Sequence, residues 1–220
     1  MKKTLQPSFI AAMFLGTTAL FATNGDTLIG LGAKSRGMGG IGIGMGHGAE
    51  SALANPALIT AVETTEISFG GTLFMPDVSY DGGAGYQQST ADTNVIPEVS
   101  IASKMNDNFY LGIGIWGTGG MGTDYRDDTT GSTMQMVTNL QLMQFGVPVA
   151  YKRDGFSFGV TGIVQYGALD INYNNGTNVG AGIAQDIEFG YSLGAAYDFS
   201  SAGISGLTFG LVYKSAIKRD

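Results

Sequence analysis

The stretch Ile187-Glu188-Phe189-Gly190-Tyr191-Ser192-Leu193-Gly194-Ala195-Ala196-Tyr197-Asp198-Phe199 alternates with a period of two. Ile187, Phe189, Tyr191, Leu193, Ala195, Tyr197 and Phe199 fall on one face; Glu188, Gly190, Ser192, Gly194, Ala196 and Asp198 fall on the other. Successive side chains of a strand point to opposite faces, so this reads as one long strand, aromatic on one side and small or polar on the other. The pattern recurs on either side of it. Phe156, Phe158, Val160, Val164 and Tyr166 oppose Ser157, Gly159, Thr161 and Gln165, while Leu207, Phe209, Leu211 and Tyr213 oppose Thr208, Gly210 and Lys214. Phe109 to Ile115 repeats it, and weaker versions at 66–74, 95–104 and 140–151 bring the candidates to seven strands.

The connections alternate too. Short links fall at 106–108, 153–155 and 200–206, and long polar loops at about 76–94, 119–136 and 170–186. Short turns at one end and long loops at the other are how outer-membrane barrels are built. Tyr151, Tyr166, Tyr197, Phe199 and Tyr213, near strand ends, suit interfacial aromatic girdles. A soluble sandwich also alternates, but seldom sets strands this long against Gly and Ser. The expected class is therefore all-β, a transmembrane antiparallel β-barrel. Single-chain bacterial barrels have even strand numbers, and an open edge in lipid leaves unpaired backbone groups. With no terminal aromatic strand before Ala216-Ile217-Lys218-Arg219-Asp220, residues 63–220 are expected to be the N-terminal half of the barrel, its C-terminal half absent.

Lys2 and Lys3 precede an almost uncharged apolar run from Phe9 to Phe21, with Ala22 at the cut, which is the anatomy of a secretory signal peptide over residues 1–22. As a helix that run is about 20 Å long, short of a hydrocarbon core of about 30 Å. Residues 23–62 are Gly-rich, and the run from Gly30 to Gly44 carries too much Gly for a stable helix. Their apolar side chains need shelter, so a compact irregular segment packed inside something larger is expected. Ser51-Ala52-Leu53-Ala54 can form a brief helix that Asn55-Pro56 stops. Over the chain, 36 Gly without a three-residue period exclude collagen, and 12 Phe with 10 Tyr exclude disorder. The absence of Cys excludes a disulfide framework and thiol chemistry, and a net charge of −7 argues against nucleic acid as a partner.

Several apparent motifs carry no chemistry. G-x-G-x-x-G occurs at 37–42, 112–117 and 117–122, but none sits in the strand–turn–helix frame of a dinucleotide site. Ser192 in Gly190-Tyr191-Ser192-Leu193-Gly194 matches a nucleophile elbow yet lies mid-strand, and the only His is His47, far upstream. Asp124, Asp127 and Asp128 could hold a surface cation, though a solvated acidic loop is the commoner explanation. His47 reads as a packed polar residue. No metal, cofactor or catalytic residue is expected.

The run from Asn24-Gly25-Asp26-Thr27 through Ser35-Arg36-Gly37-Met38-Gly39-Gly40 to Ala54-Asn55-Pro56-Ala57-Leu58-Ile59-Thr60 resembles the start of the FadL family. These are outer-membrane transporters of long-chain fatty acids, with relatives that take up aromatic hydrocarbons. Asn-Pro-Ala after a Gly-rich lead is the most specific feature, and Gly117 to Tyr125 resembles the family's third strand and following loop. The resemblance runs over essentially the whole mature chain and implies a barrel of about fourteen strands. It implies that residues 23–62 are a hatch plugging the lumen, with Asn55, Pro56 and Ala57 making its turn toward the first strand. It also implies a monomer that binds a hydrophobic small molecule inside the barrel and releases it sideways into outer-membrane lipid, past lipopolysaccharide. Trp116, Gly119, Gly120 and Met121 would then mark an inward kink and side door; alternatively, these glycines simply begin a loop. One departure is that the family places a basic residue near the end of the fifth strand, where this chain reads Tyr166-Gly167-Ala168-Leu169-Asp170. That leaves room for an uncharged hydrocarbon. The competing class is a structural or adhesive surface barrel acting through its loops; a barrel enzyme has no supporting constellation.

Overall fold

The computed structural model describes residues 28–217 except 84 and 181, so the expected signal peptide lies outside the described residues. The strands in chain order are β1 (Thr65–Phe74), β2 (Ser79–Asp81), β3 (Tyr86–Gln88), β4 (Asn94–Lys104) and β5 (Phe109–Asp124), then β6 (Val137–Arg153), β7 (Phe156–Asn174), β8 (Asn178–Gly180), β9 (Ala184–Asp198) and β10 (Thr208–Lys214). The seven long ones form a single antiparallel meander, β1-β4-β5-β6-β7-β9-β10. β2 and β3 pair with each other within the first long loop, and β8 folds back on β7.

All seven expected strands are present, but their ends differ. β5 continues to Asp124, β6 begins at Val137 and β7 reaches Asn174, so much of the expected loop at 119–136 and the start of that at 170–186 is paired strand. Pairing carries on there while the outward positions turn polar, as at Asn139 opposite Asp170, so the apolar alternation fades before the strand does. Phe199 leaves β9 and opens a 3-10 turn capped by Asp198, whose carboxylate accepts from the Ser200 N–H. Tyr166 lies opposite Met143 and Ile187, well inside β7 rather than at its end.

One face of the sheet is apolar and open. Phe158, Val160, Ile187, Phe189, Leu193 and Leu211 are all exposed, Phe189 to 73 %. A contiguous greasy face of this kind is not sustained against water. From Phe156 to Tyr166 it runs about 33 Å along the strand, or about 25 Å once tilted, the height of a lipid-facing band. At the end with the short turns, Phe109 packs edge-on to Tyr151 at 5.0 Å, and Tyr197 touches Phe156 at 4.4 Å and Phe199 at 4.7 Å.

The other, inner face is covered by residues 28–62. They form α1 (Ala33–Gly37), a 3-10 turn at Gly48–Glu50, α2 (Ser51–Ala54) and a 3-10 helix at Pro56–Ala61. α2 is the brief helix expected before Asn55-Pro56. α1 corrects the expectation of no helix in the Gly-rich tract, and it occupies Ala33 to Arg36, where Gly is lacking. Ala49, Ala52, Leu53, Ile59 and Val62 pack with Ala102, Tyr110, Trp116, Ala150 and Ile163 of the sheet as one buried cluster.

Candidate functional site

Asn55, Pro56 and Ala57 come together at the centre of this packing. Asn55 is fully buried in the extended region at φ −148°, which ends α2. Its Oδ1 accepts from the Ala57 N–H at 3.1 Å, capping the 3-10 helix, with Pro56 at its first position. Its Nδ2 donates to the Ile43 carbonyl at 2.7 Å and reaches the Ala195 carbonyl at 3.4 Å. Beneath the turn, Gly159 and Gly194 lie directly opposite each other on β7 and β9. A Cβ on Gly159 would strike the Pro56 and Ala57 backbone, and one on Gly194 the Asn55 side chain. The small side of these strands thus admits the backbone of the N-terminal segment.

The second feature is a break in the sheet. β4 and β5 pair from Lys104↔Tyr110 up to Glu98↔Trp116 and no further, although both strands continue. Beyond this point β4 is paired only with β1, and β5 only with β6. A bulge between Gly117 and Gly119 leaves Thr118 without a partner across β6 and reverses the alternation. Phe109, Leu111, Ile113 and Ile115 point outward and Trp116 inward; after the bulge Gly119 and Met121 share the inner face with Leu142 and Leu140. Outward, β5 then offers only Gly117, Gly120 and Gly122 before Asp124. Pro97, with no N–H to donate, is the first β4 residue past the last pair. The Leu28 N–H donates to the Thr118 carbonyl at 3.0 Å, so the N-terminal segment reaches the bulge itself.

Of the four residues singled out here, Gly119 and Met121 share the inner wall above the break, Met121 being exposed, while Gly120 faces outward. Trp116 faces inward but is only 1 % exposed, buried in the cluster with Leu53, so it is a packed part of the wall rather than an open lining. The segment is strand throughout, which removes the reading that its glycines begin a loop.

Sequence reasoning missed the charges at the break. Glu98, 7 % exposed, accepts from the Ala33 N–H at 3.0 Å through Oε1 and from the Arg36 guanidinium at 3.3 Å through Oε2. Lys34 pairs with Glu66 at 3.0 Å, and buried Glu50 accepts from the Lys34 N–H and the Ser68 hydroxyl. The signal was an acidic residue on the inward register of an otherwise small or apolar strand.

The remaining candidates have structural roles. Asp128 accepts from the N–H and hydroxyl groups of Thr130 and Thr133, which hold its carboxyl well below the usual range. Asp124 takes the Arg126 guanidinium. The His47 ring meets the Ile41 carbonyl at 2.6 Å. Ser192 is fully buried on the inner face of β9.

A meander of long strands, greasy outside, filled by a packed segment inside and interrupted between two neighbours, is the wall of a membrane-spanning β-barrel. The chain belongs to the family of outer membrane transport proteins described as OMPP1/FadL/TodX, whose model matches residues 17–220. It is 28 % identical over 133 residues to the long-chain fatty acid transport protein of Escherichia coli K12, a match covering 54 % of this chain and 30 % of that protein. An uncharacterized protein of Chlorobium limicola is 33 % identical over 120 residues, 52 % of this chain and 59 % of its own length. The toluene transporter TodX of Pseudomonas putida has the same fold, with a TM-score of 0.69 at 17 % identity over 86 % of this chain and 55 % of that one. The CymD monoaromatic hydrocarbon channel follows at 0.63 and 18 %, over 85 % and 53 %. The chain thus spans about half the length of these structural relatives and a smaller share of the E. coli protein.

Proposed function

We propose that this chain is the N-terminal half of a passive transporter that takes up hydrophobic small molecules and releases them sideways into the outer membrane. Residues 1–22 are its signal peptide, 23–62 its hatch, and 63–220 the first strands of its barrel. The hatch reading is supported by the Asn55-Pro56-Ala57 turn seated on Gly159 and Gly194. The free edges of β1 and β10 await the remaining strands, as do the exposed Met38, Ile41, Ile43 and Met45 of the hatch.

The observation that carries the mechanism is the loss of β4–β5 pairing beyond Glu98↔Trp116. A ligand caught near the extracellular loops moves along Met121 and Leu140, then leaves between the two strands. The unpaired backbone is tolerable because it borders the lumen. Gly120 and Gly122 add no side chain of β5 to the exit, while the Ile96 side chain of β4 lies against Gly117 at its lower edge. An adhesive role gives neither the packed hatch nor the interrupted pairing a purpose.

Deleting Thr118 tests this directly. The deletion makes Gly117↔Met143 and Gly119↔Leu142 consecutive pairs without turning any other side chain over. The variant is expected to assemble as a heat-resistant barrel while uptake of a labelled alkane, arene or fatty acid falls severalfold. Normal uptake by an assembled variant would overturn the side exit.

A further inference from the structure

We propose that Glu98 determines specificity: by neutralising Arg36 beside the break in the wall, it withholds the cation a ligand carboxylate needs and so favours uncharged apolar ligands. The inference rests on the transport reading above and names the ligand class of that same site.

Glu98 is the last β4 residue paired with β5, so its carboxylate stands where the proposed exit begins. It engages Arg36 through one oxygen and the first N–H of α1 through the other. A guanidinium is the side chain best suited to grip a carboxylate, and here its charge is already countered by Glu98. Lys34 is likewise committed to Glu66. With Glu50 included, two cations face three carboxylates.

The same cross-strand row continues inward-facing along the wall as Glu98, Trp116, Gln144, Gln165 and Glu188. Gln144 and Gln165 satisfy each other at 2.6 Å, and Glu188 ends the row with a further negative charge. An acid arriving here loses its hydration, finds Arg36 already paired with Glu98, and meets the further negative charge of Glu188. An ester or hydrocarbon suffers no such repulsion and keeps the apolar contacts of Met121 and Leu140. Discrimination against the wrong ligand by a built-in like charge is a general route to specificity.

The alternative role for Glu98 is to dock α1 and nothing more. Glu98→Gln separates the two, because the amide oxygen still accepts from the Ala33 N–H while the charge is gone. A long-chain fatty acid and its methyl ester would be competed against a fluorescent apolar probe, on protein purified from outer membranes in detergent. The wild type is expected to prefer the ester. In E98Q the affinity for the acid should rise about tenfold, that for the ester staying unchanged, and the gain should vanish in R36Q/E98Q. The exchange R36E/E98R restores the pair and should restore rejection of the acid. Unchanged acid affinity in E98Q, or a gain that survives in R36Q/E98Q, would overturn the proposal. If neither ligand displaces the probe from wild-type protein, the transport reading falls and this inference with it.

Discussion

The side-chain amide of Asn55 donates to the carbonyl of Ile43 at 2.7 Å, joining two parts of the N-terminal segment that lie twelve residues apart. The same side chain caps the following 3-10 helix through Ala57 and reaches the β9 backbone at Ala195. Removing it loses a cap and leaves buried backbone groups without a partner, a cost of about 1–3 kcal/mol. Asn55→Ala should loosen the proposed hatch while the barrel keeps its heat resistance. Proteolysis within residues 28–62 and single-channel conductance in planar bilayers should both increase.

Gly194→Ala probes the same contact from the wall. A methyl group there meets Asn55 and the Pro56 ring, and overpacking of this kind costs about 1–3 kcal/mol. The strand itself loses nothing, since Ala is at ease in β geometry. Raised conductance in an assembled barrel is the expected outcome. Gly162→Ala, on the opposite face of β7 with nothing within contact of an added Cβ, should leave conductance unchanged.

The register of the outer face can be tested with a charge. Val160 lies outward on β7, paired with Val149 and Leu193. Val160→Arg should cost about 2–4 kcal/mol if it meets the middle of the bilayer, and it should reduce the yield of assembled barrel. Glu188→Lys, a larger change of charge on the inner face of β9, should assemble normally. Heat-modifiable mobility on gels distinguishes the two.

The loop after β5 offers a prediction in pH. Hydroxyl and N–H groups of Thr130 and Thr133 lower the Asp128 carboxyl, so its unfolded form binds a proton more readily than its folded form. A depressed folded value stabilises the loop above the ordinary carboxylate range and loses that contribution only as pH falls through the lowered value. The loop at 125–136 should therefore resist proteolysis at neutral pH and begin to lose that protection below about pH 4. Asp128→Asn should open it to protease at neutral pH, with the barrel's heat resistance unchanged.

Much of the architecture was legible locally. The period of two in Ile187 to Asp198 needs no distant contact, because adjacent residues of a strand face opposite ways whatever they pack against. Seven such runs, linked by alternately short and long segments, determined the class, the strand order and the greasy outer face. The Asn-Pro pair likewise stopped α2 by backbone sterics alone. Even the missing base near Gly167 could be read, since β7 turns Gln165 and Leu169 inward there and no Lys or Arg.

What only the tertiary structure decided lies in contacts between distant parts of the chain. Arg36 and Glu98 are 62 positions apart, and neither carries a local sign that it will meet the other. The bulge at Thr118 is invisible in a run of glycines, because without side chains there is no alternation to break. The end of β4–β5 pairing is a property of two strands together. Trp116 looked like an open lining residue until Leu53 was packed over it. Periodicity is set by the backbone of one segment, whereas pairing, burial and charge compensation depend on which segment arrives opposite, and only the folded chain determines that.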